Sequence, residues 1–400
     1  MRVRDLGPDD LPAYRRLRSQ AFGGPAAPQE PRPLTEQETA LGIDSAELPG
    51  GLPGVLAGGA ILRHDAMVLG GAEVPCAGIA SLAVHPAHRR GGVFSQLLEA
   101  TLRRARDEGF PVAMLFPSAP DLYRRHGFQV ITRVRAVQLP TANLQGLRLP
   151  AGKHLAPVTD ATFSRLRSLY RESLVGQNGL LLREGPLYGD GRHPGGFFDA
   201  VLVEDADGEA TGYVSWTRPP RGHDATLEVH DLVGRTAEDR LALLAALGSW
   251  STVVDRIQLR LRSDDPVLDQ LPGPGQVITT PLACEAMLRV IDPAQVLTRR
   301  GAPTDLQGCF VLEVEDPLLG SSALVVRVEE GSVTCRDTGP TDAALPRAVL
   351  DLRAAGLLLA GGSRVARADR LGLGVHADAE ACALLDRLLE GPPPTVMDVF

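Results

Sequence analysis

The sequence contains no uninterrupted apolar run of about 18 residues, the length a membrane-spanning helix needs. Nothing behind Met1-Arg2-Val3-Arg4-Asp5 resembles the apolar stretch of a secretion signal. Both absences point to the cytoplasm and away from a membrane. Cysteine is scarce and scattered. Cys76, Cys284, Cys309, Cys335 and Cys382 form no C-x-x-C pair, which argues against zinc and for reduced thiols. Positive charge is not in excess either: the formal net charge is −8 and the pI near 5.6. That balance speaks against nucleic acid or anionic lipid as a partner and leans toward a cationic substrate. Three common catalytic or phosphate signatures are missing: G-x-x-x-x-G-K-[ST], G-x-G-x-x-G and G-x-S-x-G. His85 and His88 stand three apart with no third ligand spaced to complete a metal site.

What the chain does have is length and apolar content: 400 residues, 44% hydrophobic, enough for two or three cores. The most informative stretch runs from Ala80 to Leu98. It reads as a strand ending at His85-Pro86, because proline has no N–H to give a ladder. A turn, Arg89-Arg90-Gly91-Gly92, follows. A helix then starts at Val93, with Phe94, Leu97, Leu98 and Leu102 at helical spacing. The first N–H groups of a helix lack intrahelical partners and carry the positive end of its dipole. Glycines let an anion approach the main chain, so Arg89 to Ser95 is a candidate pyrophosphate site.

Arg89-Arg90-Gly91-Gly92-Val93-Phe94 resembles the acetyl-CoA loop, [RQ]-x-x-G-x-[GA], of the GNAT acetyltransferases. Phe94 departs from the usual Gly or Ala and is expected to crowd the loop. Leu122-Tyr123-Arg124-Arg125-His126-Gly127-Phe128 is similar to that family's Y-x-x-x-G-[FY] ending. The residues alone leave Tyr123 as either a packing group or an acid. The resemblance places it beside the thioester, where it protonates the departing thiolate.

In order, the chain opens with a strand at Arg2-Val3-Arg4 and a helix whose Leu11, Tyr14, Leu17 and Phe22 share a face. A Pro/Gly-rich loop covers Gly23 to Pro33. Short strands at Ile61-Leu62-Arg63 and Met67-Val68-Leu69 are expected around a turn at Arg63-His64-Asp65. Pro111 to Phe116 and Arg133 to Gln138 read as further strands. Strands at Phe197–Glu204, Ala210–Thr217 and Thr226–Leu232, then a helix at Glu238–Leu247, echo residues 61–106. This second unit has Gly234-Arg235-Thr236-Ala237-Glu238-Asp239 in place of the Arg-Arg-Gly-Gly turn, and no anion site is expected there. From about Gly301 strands precede helices at Leu345–Ala355 and Ala377–Leu389, an α+β pattern that resembles a sterol-carrier-protein domain. The expected division is 1–150, a GNAT domain that binds acetyl-CoA; 151–298, a degenerate GNAT-like domain; and 299–400, the sterol-carrier-like domain. The fold class is α/β and α+β, with two tandem mixed-sheet units.

This domain order and length, with the two motifs, look like the Eis (enhanced intracellular survival) N-acetyltransferases of actinobacteria. The resemblance implies acetyl-CoA as co-substrate, a cationic amine as acceptor (aminoglycoside-like, polyamine or lysine), no metal, and a homohexamer. It also implies that the carboxylate of a final aromatic acts as general base, a position matched here by Phe400. The apolar residues Val396, Met397, Val399 and Phe400 after Pro392-Pro393-Pro394 favour a docked rather than a frayed tail. Catalysis is thus expected from Tyr123 and Phe400. Cofactor contacts are expected from Leu82, Ala83, Val84, Arg89, Arg90, Gly91, Gly92, Val93, Phe94, Ser95, Ser118 and Ala119. Asp44, Glu47 and Asp398 are alternative carboxylates for the acceptor. Two other readings stand beside this one: a non-catalytic protein that holds a small apolar or acyl ligand, and an acyltransferase for longer acyl chains.

Overall fold

The structure is a computed structural model and describes residues 1–23, 33–188, 199–218, 225–280 and 285–400. Cys284, most of the loop expected at Gly23–Pro33 and the first two residues of the strand expected at Phe197 lie outside the described residues. The described residues form three sheets of seven, seven and five strands. In the first, the strands run Arg4–Asp5, Glu38–Asp44, Leu56–Leu69, Ala72–Val84, Val112–Leu115, Glu285–Val290, Gln129–Arg133. In the second they run Val277–Thr279, Arg135–Pro140, Arg256–Leu261, Thr226–Gly234, Ala210–Thr217, Asp199–Glu204, His154–Pro157. Each of these sheets is antiparallel except for one parallel pair, bridged by a helix. Val93–Asp107 links Ala72–Val84 to Val112–Leu115, and Ala237–Gly248 links Thr226–Gly234 to Arg256–Leu261.

The two sheets exchange strands. Glu285–Val290 inserts between Val112–Leu115 and Gln129–Arg133 in the first sheet. Its side chains from Ala286 to Val290 are all buried, as suits a strand covered on both faces. Arg135–Pro140 in turn pairs with Arg256–Leu261 and Val277–Thr279. The single strand expected at Arg133–Gln138 is therefore two strands in different sheets, parted at Val134.

Other expectations are corrected by side-chain pairing that a periodicity count cannot see. No turn breaks the chain at Arg63-His64-Asp65; one strand runs Leu56–Leu69. Arg63 and Asp65 stand two apart on one face and neutralise each other in the core, Nε to Oδ2 3.0 Å, so the polar pair does not end the strand. The reversal comes at Gly70-Gly71, both at positive φ. The first strand is Arg4–Asp5, later than Arg2–Arg4. Residues 345–355 hold the strand Arg347–Asp351 and then the helix Leu352–Leu359.

The third sheet orders Ser332–Asp337, Ser322–Glu329, Gly308–Glu315, Arg347–Asp351, Val375–Ala377. Its core is continuous with that of the first unit: Phe310, Leu312, Leu350 and Leu358 join Met67, Val112, Met114 and Leu288 in one cluster. Arg289, fully buried, bridges the same junction through both carboxylate oxygens of Asp316 (2.8 and 3.0 Å).

Candidate active site

Ala72–Val84 and Val112–Leu115 are paired only at Cys76–Gly78. Beyond Gly78 the two strands part, and the edge of residues 79–84 facing the gap has no strand partner among the described residues. The gap is widened by a bulge. Ile61 faces Ala80 and Gly59 faces Ala83, so Ser81 and Leu82 stand where one residue would, and Ser81 takes a φ of 52°. Tyr14, buried in the first helix, donates to the Ser81 carbonyl at 2.8 Å and holds the bulge. Main-chain groups left free along a parted strand can hydrogen-bond an extended ligand as a further strand would.

Past the parting, Val84 leads through Pro86–His88 into the turn and the helix Val93–Asp107. Arg90 (φ 66°) and Gly92 (φ 80°) are both left-handed, which curls the main chain before the helix begins. No acidic side chain occupies the first turn of this helix. His88 lies with Nε2 2.7 Å from the Ser45 hydroxyl, and His85 accepts from the Ala87 N–H. Both histidines shape the turn. No group of three metal-ligating side chains occurs among the described residues.

A cavity of about 740 Å³ fills this region. Of the expected contacts it brings together Leu82, Ala83, Val84, Arg89, Arg90, Gly92, Phe94, Ser95, Ser118 and Ala119, with Tyr123 opposite. Gly91 does not line it, and Val93 turns into the core at 1% exposure. Phe22, expected to share a face with Tyr14 and Leu17, is exposed where they are buried, and it lines the cavity with Ala21. Arg125 adds a third guanidinium to the wall and was missed, although its neighbour Tyr123 was the signal for that segment. The size lies within the usual range for small-ligand sites.

Tyr123 sits on the one-turn helix Pro120–Arg124 and is 7% exposed. Phe94 meets its ring edge to face, centroids 5.3 Å apart, so the departure from the loop pattern fills space against the tyrosine. Burial pushes the Tyr123 hydroxyl up to about 12, so it holds its proton at neutral pH and can donate it.

The tail is docked. Thr395 donates its N–H to the Asn178 carbonyl, Arg260 donates to the Met397 carbonyl, and Asp398 is fully buried against Arg183. The Phe400 ring lies under the Arg63 guanidinium (4.1 Å to the centroid) and edge-on to Phe116 (5.3 Å). Beneath it, Tyr188 donates to Asp65 at 2.7 Å, completing a buried Arg63–Asp65–Tyr188 group. Asp398 is thus sealed away from any acceptor. Asp44 is held by Arg4, and the exposed Glu47 accepts the Arg2 N–H on one carboxylate oxygen.

The second unit lacks the corresponding cradle for a physical reason. Thr236 and Asp239 cap the helix Ala237–Gly248 reciprocally, and Asp239 is also bound by Lys153 and Thr211. Arg235 is held by Glu172 and Glu209.

Residues 2–131 and 179–290 each match an "Acetyltransferase (GNAT) domain" model, and residues 293–397 match a "Sterol carrier protein domain" model. An "Uncharacterized N-acetyltransferase" of Streptomyces avermitilis is 29% identical over 252 residues, 58% of this chain and 59% of that protein. The "N-acetyltransferase Eis" of Mycobacterium tuberculosis is 27% identical over 360 residues, 84% of each chain. Among solved structures, a GCN5-related N-acetyltransferase from Anabaena variabilis superposes over 100% of both chains with a TM-score of 0.85 at 20% identity. Eis1 from Mycobacterium abscessus does so over 100% of both chains, with a TM-score of 0.73 at 23% identity. These structural likenesses speak to the fold.

Proposed function

The chain belongs to the Eis family of GNAT N-acetyltransferases, and from that premise we propose that it moves an acetyl group directly from acetyl-CoA to a primary amine of a cationic small molecule. Acetyl-CoA supplies the activated acetyl thioester. Arg89 and Arg90, with the N–H groups that open the helix at Val93, hold the pyrophosphate. The free edge of Leu82–Val84 receives the pantetheine arm, and its N–H groups face the developing negative charge on the acetyl oxygen.

An ammonium must lose a proton before its nitrogen can attack. The Phe400 carboxylate accepts that proton, and Tyr123 gives one to the departing sulfur. The observation that carries this reading is the seat of the Phe400 ring on Gly78, the last residue before the two strands part. It seats the ring of the last residue beside the point where the two strands begin to part. The acceptor belongs among aminoglycosides, polyamines and lysine side chains, and the likeness to Eis favours a homohexamer.

The test is release of CoA thiol across a panel of cationic and neutral amines, run on the native chain and on a variant with one glycine appended after Phe400. Turnover with the cationic members, lost on extension, supports the reading. Full activity of the extended protein removes the carboxylate from the mechanism. Binding of acetyl-CoA without transfer to any amine favours a binding protein instead.

A further inference from the structure

The tail's polar anchors come from the second unit. Asn178 holds the main chain at Thr395 and also donates to the Pro392 carbonyl at 2.9 Å. Ser263 shares a hydrogen bond of 2.9 Å with the Thr395 hydroxyl, and Arg260 donates to the Met397 carbonyl at 2.8 Å. Arg183 completes the set. Its Nε donates to both oxygens of Asp398 (2.9 and 3.0 Å), and its two terminal nitrogens donate to Asp231 (2.7 and 3.1 Å). The guanidinium carbon stands 4.1 Å from the centroid of the Tyr170 ring, and the Arg183 backbone takes a left-handed φ of 53°. An arginine held on three sides by a bidentate carboxylate, a second carboxylate on its Nε and an aromatic face is fixed in both position and plane.

The place of these anchors in the second sheet matters. Thr226–Gly234 and Arg256–Leu261 run parallel only as far as Val229 and Leu259. They part beyond that point, as the strands of the first unit part beyond Gly78. The residues next to the parting, Asp231 on one strand and Arg260 on the other, both hold the tail, one through Arg183 and one directly. In the second unit, therefore, the residues beside the parting are tied to the chain's own tail.

We propose that Arg183 is a positioning residue for the acetyl transfer. By tying Asp398 to Asp231 it makes the second, loop-less unit the clamp that delivers the Phe400 carboxylate to the first unit. This rests on the assignment of that carboxylate as base. Asp398 lies two residues before Phe400, so loss of the pair frees the last turn of backbone while the cofactor cavity, built from other elements, stays intact.

The experiment compares Arg183→Met, Arg183→Lys, Asp398→Asn and the glycine-extended chain in the full-length protein. It reads kcat, KM for acetyl-CoA, thermal midpoint and release of Phe400 by a carboxypeptidase followed by mass spectrometry. Arg183→Met is expected to lower kcat by roughly 10²-fold, the scale of a misplaced general base. KM for acetyl-CoA is expected to stay within about twofold, since the cavity keeps its contacts. Phe400 should become cleavable, and Arg183→Lys should recover part of the rate. Asp398→Asn, nearly isosteric, is expected to behave like Arg183→Met and serves if that variant does not fold. Variants that keep both full kcat and a protected Phe400, while the extended chain is inactive, overturn the clamp and leave the base assignment standing. An extended chain with full activity overturns the base assignment and the clamp with it.

Discussion

A methyl group placed on Gly78 would stand 3.0 Å from Cζ of Phe400 and 2.6 Å from the Asp65 carboxylate. The last aromatic of the chain therefore rests on main chain, at a position where any side chain would displace it. Gly78→Ala tests that contact. Ring and carboxylate must shift together, and a misplacement of about 1 Å can cost on the order of 10²-fold in rate. The expected result is a kcat at least about tenfold lower with acetyl-CoA affinity little changed, read from steady-state kinetics and calorimetry.

Tyr123→Phe should leave acetyl-CoA binding nearly intact and depress kcat by roughly 10²-fold, the usual scale for losing a general acid. The phenol's pKa is raised by burial, so the protonated form persists in the folded protein up to about 12. Its contribution to stability is fully present below the unfolded value of about 10 and is lost as pH rises through about 12. A thermal-melt series from pH 8 to pH 12 should show a steeper alkaline decline for the native chain than for Tyr123→Phe.

Replacing Arg89 and Arg90 by Ala together should weaken acetyl-CoA by at least about tenfold, since a hydrogen bond to a charged group is worth ~1.5–3 kcal/mol. The effect should shrink at high salt. Arg235→Ala, at the matching turn of the second unit, should leave affinity unchanged, because Glu172 and Glu209 already hold that side chain. Calorimetric titration at two ionic strengths reads both.

Asp316→Ala strips the carboxylate partner from Arg289, a side chain with 0% exposure whose burial already lowers its pKa. Breaking a buried pair from one side costs about 3–5 kcal/mol. Denaturant unfolding should register that loss, and Asp316→Asn should recover part of it by keeping a hydrogen-bond acceptor for the guanidinium.

Much of the site is legible in the residues themselves. The turn proposed for the pyrophosphate depends on local facts: a proline that ends a strand, and Arg89-Arg90-Gly91-Gly92 ahead of a helix whose first N–H groups lack partners. Tyr123 is marked by the resemblance of Leu122–Phe128 to the Y-x-x-x-G-[FY] ending, and the second unit's lack of such a turn by Gly234 to Asp239, which holds no Arg-Arg-Gly-Gly. Each of these signals lies within a few residues, where propensity and capping act.

What tertiary structure alone decided is long-range. No periodicity could tell that Tyr188 closes on Asp65, that Glu285–Val290 crosses into the first sheet, or that Asp398 is locked to Arg183 rather than free for a substrate. Burial of a charge depends on a partner hundreds of residues away, and strand order depends on which apolar faces meet. The chain alone thus determined which chemistry its parts could perform; packing decided where Phe400 comes to rest, and so which of those parts meet.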